Sequence, residues 1–508
     1  MPRNVLVLPI LIPMVAGVLL VIARSRTAQR WISTASGALA LCVSLTLLAR
    51  VWNGGILTLA IGGFPAPFGI VLVADLLSAM MLVLTNIVAL AVLAHSFLTI
   101  DEERERHYYY AFLQFLVMGI SGSFVTGDLF NLFVWFEVML FASYVLVTLG
   151  GGAFQLREAF KYVVLNIIAS SLFLVGVGVV YASLGTVNMA DLAVKAASVS
   201  NKGLFLAMAF IFLIVFGIKA AVFPLYFWLP RSYDAPPAAV AAIFGGLLTK
   251  VGVYSLIRVF TLIFVGQPAV THTLIMWLAG FTLVVGVMGA IAQSDFRRII
   301  SYHVISHIGY MLMGLGVFTP FALAGSLFYL AHDTIVKPAL YLIGGVAERI
   351  TGTTDLRRYG GLIHKFPGLT LVFFLGALSL VGIPPMSGFF GKFAAIQGGF
   401  LAGRYGISAV ALVVSLLILY SLILVFKEGF WGEQAGSGEG GWERPQGYLW
   451  LLAPASALIL LSAAMGLGAE FVAQLATKSA MQLLNPEDYI RAVLHSEPAD
   501  YVQSALGL

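Results

Sequence analysis

The feature that most constrains this chain is a succession of long apolar runs. Hydrocarbon offers the backbone no hydrogen-bond partners, so a run of about 20 apolar residues must satisfy its own N–H and C=O groups, and a helix does so. Fourteen such runs lie near residues 5–22, 31–50, 69–94, 109–126, 129–149, 162–184, 203–229, 237–262, 272–292, 298–317, 323–347, 369–401, 408–427 and 448–468. They predict an all-α polytopic membrane protein of about fourteen spans. Composition agrees. Of 508 residues, 60% are hydrophobic and only 10% are charged, whereas an ordinary soluble domain is about a quarter charged. The first run is expected to be a retained span rather than a signal peptide, because its basic cluster (Arg24, Arg26, Arg30) follows the apolar stretch.

Several function classes drop out. The lone cysteine, Cys42, leaves no material for a disulfide framework, a cysteine-ligated iron–sulfur cluster or a thiolate zinc site. No Gly-x-x-x-x-Gly-Lys-Ser/Thr sequence occurs, so P-loop nucleotide hydrolysis is not expected. The net charge of +5 gives no reason to expect a nucleic-acid partner. Where the charges lie says more. With the N-terminus outside, the inside loops hold sixteen lysines and arginines and the outside segments seven. The positive-inside rule then puts both termini on the outer side.

Two spans are interrupted by proline. The seventh contains Gly217-Ile-Lys-Ala-Ala-Val-Phe-Pro224, and the twelfth contains Gly382-Ile-Pro-Pro-Met-Ser-Gly-Phe-Phe-Gly-Lys392. Proline removes a backbone donor, which a membrane tolerates only where protein or water covers the gap. The breaks are five spans apart. Because five is odd, spans 4–8 and 9–13 would form two inverted five-helix repeats, a pattern of secondary transporters. The chain divides accordingly into residues 1–108 (three spans), 109–262 (first repeat), 272–428 (inverted second repeat) and 429–508. That last segment holds a glycine-rich linker at 433–441, the last span and an amphipathic tail at 470–494, suited to a membrane surface or a neighbouring subunit. Residues 101–106 read as a solvated loop.

Ionisable groups inside the spans mark function, since each costs roughly 2.5–3.5 kcal/mol at mid-membrane even on the lenient insertion scale. Glu137 lies near the centre of the fifth span, and Lys219, just before the break in the seventh, is its natural partner. A static ion pair would explain those two. It leaves Lys250, Lys337 and Lys392 over, and four lysines along a midplane read as a proton relay. His307 and His332 are candidate relay groups, because imidazole both donates and accepts. His303 and His307 stand four apart on one face, but no third ligand recurs nearby, so no metal or cofactor is expected. Asp333 and Lys337 read as a local i, i+4 pair. Asp75 reads as a cap or anchor, and Arg258, a turn from its helix end, as a snorkelling side chain.

These residues resemble the antiporter-like proton-translocating family shared by respiratory complex I, membrane-bound hydrogenases and Mrp-type multisubunit Na⁺/H⁺ antiporters. The resemblance is carried by Asn131-Leu-Phe-Val-Trp-Phe-Glu137, Lys219-Ala-Ala-Val-Phe-Pro-Leu-Tyr-Phe-Trp-Leu-Pro230, Ala235-Pro-Pro-Ala with Leu248-Thr-Lys250, Ser301-Tyr-His-Val-Ile-Ser-His307 and the Gly382–Lys392 stretch. It implies a Glu137–Lys219 pair gating an axis through Lys250, the histidines and lysine of spans 10 and 11, and Lys392. A lysine at 392 and the wording Leu225-Tyr-Phe-Trp-Leu-Pro-Arg-Ser-Tyr are most similar to the Mrp branch. One departure stands out: the family often has His-x-x-x-Lys on span 11, whereas here Asp333 stands four before Lys337 and His332 five before. The expected function is that of an ion-translocating antiporter subunit in the inner (plasma) membrane, moving protons against Na⁺ beside other membrane subunits. A component of a redox-driven proton pump is the alternative, and a purely structural membrane component is a third.

Overall fold

The computed structural model describes residues 3–358, 360–432 and 442–494; the predicted linker at 433–441 lies outside them. Among the described residues, eleven helices are long and apolar enough to cross a membrane, and Tyr109–Val125 and Pro367–Val381 are shorter apolar helices. Pro320–Thr351 is a 32-residue helix whose apolar character is interrupted by His332, Asp333 and Lys337. Several of these helices begin where a polar side chain can serve the free N–H groups of the first turn. Asp75, Asp128 and Asp295 accept from the backbone N–H of Ser78, Asn131 and Arg298 at 2.9, 2.7 and 3.0 Å.

Local structure departs from the expected boundaries in several places. Residues 71–74 are not the start of the third span but a strand, paired antiparallel with Leu57–Ala60 so that Leu57 faces Ala74. Alternation of short β-branched and leucine residues before the Asp75 cap suits a strand better than a helix turn. The sixth span starts at Ala153, not 162, and an unforeseen amphipathic helix occupies Met189–Ala197. Residues 101–106 are not a free loop. Glu102–Arg106 is helical, and Glu105 is buried against Arg26, Arg30 and the Tyr110 hydroxyl at 2.9, 2.9 and 2.6 Å.

Both predicted breaks are present. The helix Lys202–Ala220 stops at Ala221, whose φ is +57°, and helix resumes at Leu229–Asp234. Pro367–Val381 stops at Gly382 and resumes at Ser387–Leu401. A break leaves carbonyls and N–H groups without ladder partners. In the first, Trp228 Nε1 donates to Ile218 O at 3.1 Å and Phe223 N–H to Thr282 Oγ1 at 3.0 Å. In the second, a lysine ammonium takes the free carbonyls.

Pro320–Thr351 is the axis of the bundle and is buried over nearly its whole length. Small residues let its neighbours close on it, as in other membrane bundles. A Cβ on Gly245 would stand 2.4 Å from the Tyr341 ring, and one on Gly246 2.4 Å from Pro338 Cγ. These glycines lie in the π-helical segment Phe244–Leu248, which joins Ala238–Ile243 to Thr249–Leu262. The tail also folds onto its own chain, through Ala469–Leu484 and Pro486–Leu494. Leu475, Ala476, Ala480 and Leu483 are buried, while Phe471 and Met481 remain exposed. Gln482 accepts from Leu76 N–H at 3.1 Å, and the Tyr489 ring lies 5.3 Å from the Arg258 guanidinium.

Candidate functional site

Tight packing of the π-helical segment on Pro320–Thr351 sets Lys250 directly opposite Asp333. Lys250 Nζ stands 2.7 Å from Asp333 Oδ2 and donates to Gly245 O at 2.6 Å. The same carboxylate receives two more groups. His307 Nδ1 lies 2.8 Å from Oδ1, and Lys337 Nζ lies 3.9 Å from it. All four side chains are fully buried. Asp333 is thus the shared counter-charge of Lys250, His307 and Lys337, and not only the helical neighbour of Lys337. It is absent from the relay that the sequence predicts. A surplus of buried lysines over buried carboxylates was the signal that a second acid had to stand among them.

His307 Nδ1 is also 2.7 Å from the Tyr329 hydroxyl. One ring nitrogen serves one such bond at a time, donating to Asp333 when protonated or accepting from Tyr329 when not. Proton movement at this nitrogen therefore changes its partner. His332 stands to one side: its Nδ1 lies 2.8 Å from Ser387 Oγ, and a hydroxyl chain continues through Ser462 to Ser379 at 2.8 and 2.6 Å. Its ring is 5.2 Å from that of Tyr329. Lys392 reaches back across its break to Leu380 O and Val381 O, with the Tyr310 and Tyr329 rings 5.0 and 5.9 Å from Nζ. Lys250, His307, Lys337, His332 and Lys392 therefore form one neighbourhood, in which Tyr329 lies beside His307, His332 and Lys392.

Glu137 and Lys219 stand outside this cluster, and their expected direct contact is not made. No ion pair within 4.0 Å joins them among the described residues. Lys219 Nζ donates instead to Asn166 O at 3.1 Å and Ser170 Oγ at 2.9 Å. The last turn of its helix faces Ala153–Leu184, so a carbonyl and a hydroxyl take two of its three protons first. Glu137 Oε1 is buried without a hydrogen-bond partner. Near by, Gly252 lets the Lys250 helix close on the end of the Lys219 helix: a Cβ there would lie 2.6 Å from Ala220 N.

One further expectation is corrected. Arg258 does not snorkel; it is buried and pairs with Asp75 at 2.6 Å, while Asp75 also caps its own helix. His303 Nε2 lies 3.1 Å from Ser421 Oγ, and no cluster of three His, Cys, Asp or Glu suited to a metal ion occurs among the described residues. At the arginine-rich rim outside the spans, Asp234 pairs with Arg298 at 2.9 Å. Burial and then the neighbouring Asp295 push its carboxyl up to about 6, against the pull of Arg298 and Arg297.

The family model described as NADH:quinone oxidoreductase/Mrp antiporter, transmembrane, matches residues 126–418. The chain is 52% identical over 493 residues to the D component of the Na(+)/H(+) antiporter of Alkalihalophilus pseudofirmus, covering 97% of this chain and 99% of the relative. It is 47% identical to the protein of the same name from Bacillus subtilis, at the same coverage. A chain of the Mrp complex from Dietzia sp. DQ12-45-1b superposes with a TM-score of 0.90 at 31% identity, covering 97% of this chain and 99% of that one. A chain of respiratory complex I from Thermus thermophilus with bound NADH does so with a TM-score of 0.80 at 26% identity, covering 94% and 99%.

Proposed function

The chain belongs to the NADH:quinone oxidoreductase/Mrp antiporter transmembrane family, and from that premise we propose that it is the proton-translocating D-type component of a multisubunit Na⁺/H⁺ antiporter. The observation that carries the reading is the buried Lys250–Asp333–His307 cluster, with Lys337 beside it. A structural role needs one acid for one base. Here one carboxylate serves three basic groups, so the cluster holds several protonation states of similar cost, as a relay requires.

Protons pass in this reading from the Glu137–Lys219 gate to Lys250 and Asp333, then through His307 and Tyr329 toward Lys392. The separated Glu137 and Lys219 represent the open gate; Lys219 rests on Asn166 and Ser170 until its carboxylate returns. The two broken helices belong to inverted five-span repeats, 109–262 and 272–428, in a fold of fourteen spans. The protein sits in the plasma membrane with both termini outside. Identity of about half to the antiporter relatives, against 26% to the complex I chain, supports the antiporter over the redox-driven pump.

Purification and transport test this together. The tagged chain should co-isolate with other membrane subunits and without flavin or iron–sulfur proteins. Everted vesicles carrying the whole complex should collapse a pH gradient on Na⁺ addition. Co-isolation with redox subunits, or full coupled exchange by the chain alone in liposomes, would refute the reading.

A further inference from the structure

Lys392 holds a place that no other buried lysine has. The helix Pro367–Val381 ends inside the bundle, and its last carbonyls lack ladder partners. Leu378 O is used by the N–H groups of Gly382 and Ile383, both at 3.0 Å. Leu380 O and Val381 O instead receive the Lys392 ammonium at 3.0 and 2.9 Å, with Ser415 Oγ at 3.3 Å completing three oxygens around Nζ. Gly382, with φ +88°, makes room for this: a Cβ there would lie 3.2 Å from Lys392 Cδ and crowd the stem.

We propose that this oxygen cradle is a Na⁺ site, which Na⁺ and the Lys392 ammonium occupy in turn. The inference rests on the antiporter reading above. The ammonium shows that the cradle accepts a monovalent cation. Its ligands are two carbonyls at the negative end of a helix and one hydroxyl, all hard oxygen donors of the kind Na⁺ takes at broken helices. When Lys392–NH₃⁺ releases its proton to water and Na⁺ enters, one positive charge replaces another. The charge facing Asp333 is then unchanged, whereas adding a second cation at this depth would be costly. The neutral amine keeps a lone pair as a further ligand, and reprotonation expels the ion. One proton leaves for each Na⁺ held.

The other lysines lack these features. Lys219 has two oxygens, one being a carbonyl from the middle of the continuous helix Ala153–Leu184. Lys250 neutralises a carboxylate directly, so its departure would strip Asp333 of its closest counter-charge.

The test uses the assembled complex in detergent, lightly buffered at alkaline pH in choline chloride, with an indicator dye. Adding NaCl should release protons, and adding more choline should not. Ser415→Ala removes one ligand and should raise the Na⁺ concentration for half-maximal release about tenfold, while Ser415→Thr, which keeps the hydroxyl, should stay near wild type. Lys392→Met should abolish the release. A wild-type half-maximum in Ser415→Ala, or persistent release in Lys392→Met, would overturn the proposal. Ser415 lies at a half-buried position with the lysine left in place, so its variants decide the matter even where the Lys392→Met complex fails to assemble. Antiport by wild-type vesicles with an unaltered Ser415→Ala response would refute the cradle alone; no antiport at all would refute the function it rests on.

Discussion

Replacing Asp333 by asparagine keeps the shape of the side chain and deletes the charge that Lys250, His307 and Lys337 share. In the structure that carboxylate is fully buried, 2.7 Å from Lys250 and 2.8 Å from His307, so water cannot replace it. Breaking a buried pair by removing one partner costs about 3–5 kcal/mol, because the other charge stays behind unpaired. At about 1.4 kcal/mol per tenfold, the fully charged state of the cluster falls in population by roughly two to three and a half orders of magnitude. Asp333→Asn should therefore lower the thermal stability of the purified complex and reduce Na⁺-driven collapse of the pH gradient in everted vesicles at least tenfold at matched protein level. The double variant Asp333→Asn with Lys250→Met removes both charges. It should recover part of the lost stability, while Lys337 and His307 still lack their counter-charge, and should still transport nothing. Vesicles of the single variant with wild-type transport would show that Asp333 is a spectator. So would a double variant that regained antiport.

The remaining expectations are simpler. Glu137→Gln with Lys219→Met should assemble normally and show no antiport in vesicles; wild-type exchange would leave the gate unsupported. Gly246→Ala would push a Cβ to 2.4 Å from Pro338 Cγ, an overpacking worth about 1–3 kcal/mol, and should lower both the melting temperature of the complex and its turnover by parting Lys250 from Asp333. Arg258→Leu should cost about 3–5 kcal/mol by leaving Asp75 unpaired, seen as loss of complex on heating, while the turnover of the surviving complex stays normal. Asp234 holds its proton more tightly folded than unfolded, so its contribution to stability is present below its ordinary value of 3.8 and is lost as pH rises to about 6. Asp234→Asn should therefore flatten the fall in melting temperature over that window.

Asn131–Glu137, Lys219–Pro230 and Gly382–Lys392 were legible as motifs because the bilayer is a severe solvent. It forces helix on any long apolar run, and it makes each internal charge, proline or glycine break conspicuous against leucine and valine. Those one-dimensional constraints determined the class of fold, the two breaks and every lysine of the proposed relay. They do not fix partners, because a lysine stem is long enough to reach several neighbours and only packing selects one. Lys219 was matched to Glu137 by charge, yet the face of its helix points it at Asn166 and Ser170. Asp333 read as a local companion of Lys337 because they are four apart, yet Gly245 and Gly246 bring Lys250 much closer. Arg258 lies by sequence near enough to a helix end to reach water, but Asp75 and the returning Tyr489 enclose it. The four apolar residues Val71–Ala74 fit helix or strand equally by sequence, and pairing with Leu57–Ala60 decides for strand. Sequence determined what had to be buried, since burial is a property of each side chain and its solvent. Tertiary structure decided who met whom, since that depends on how closely helices far apart in the chain can approach.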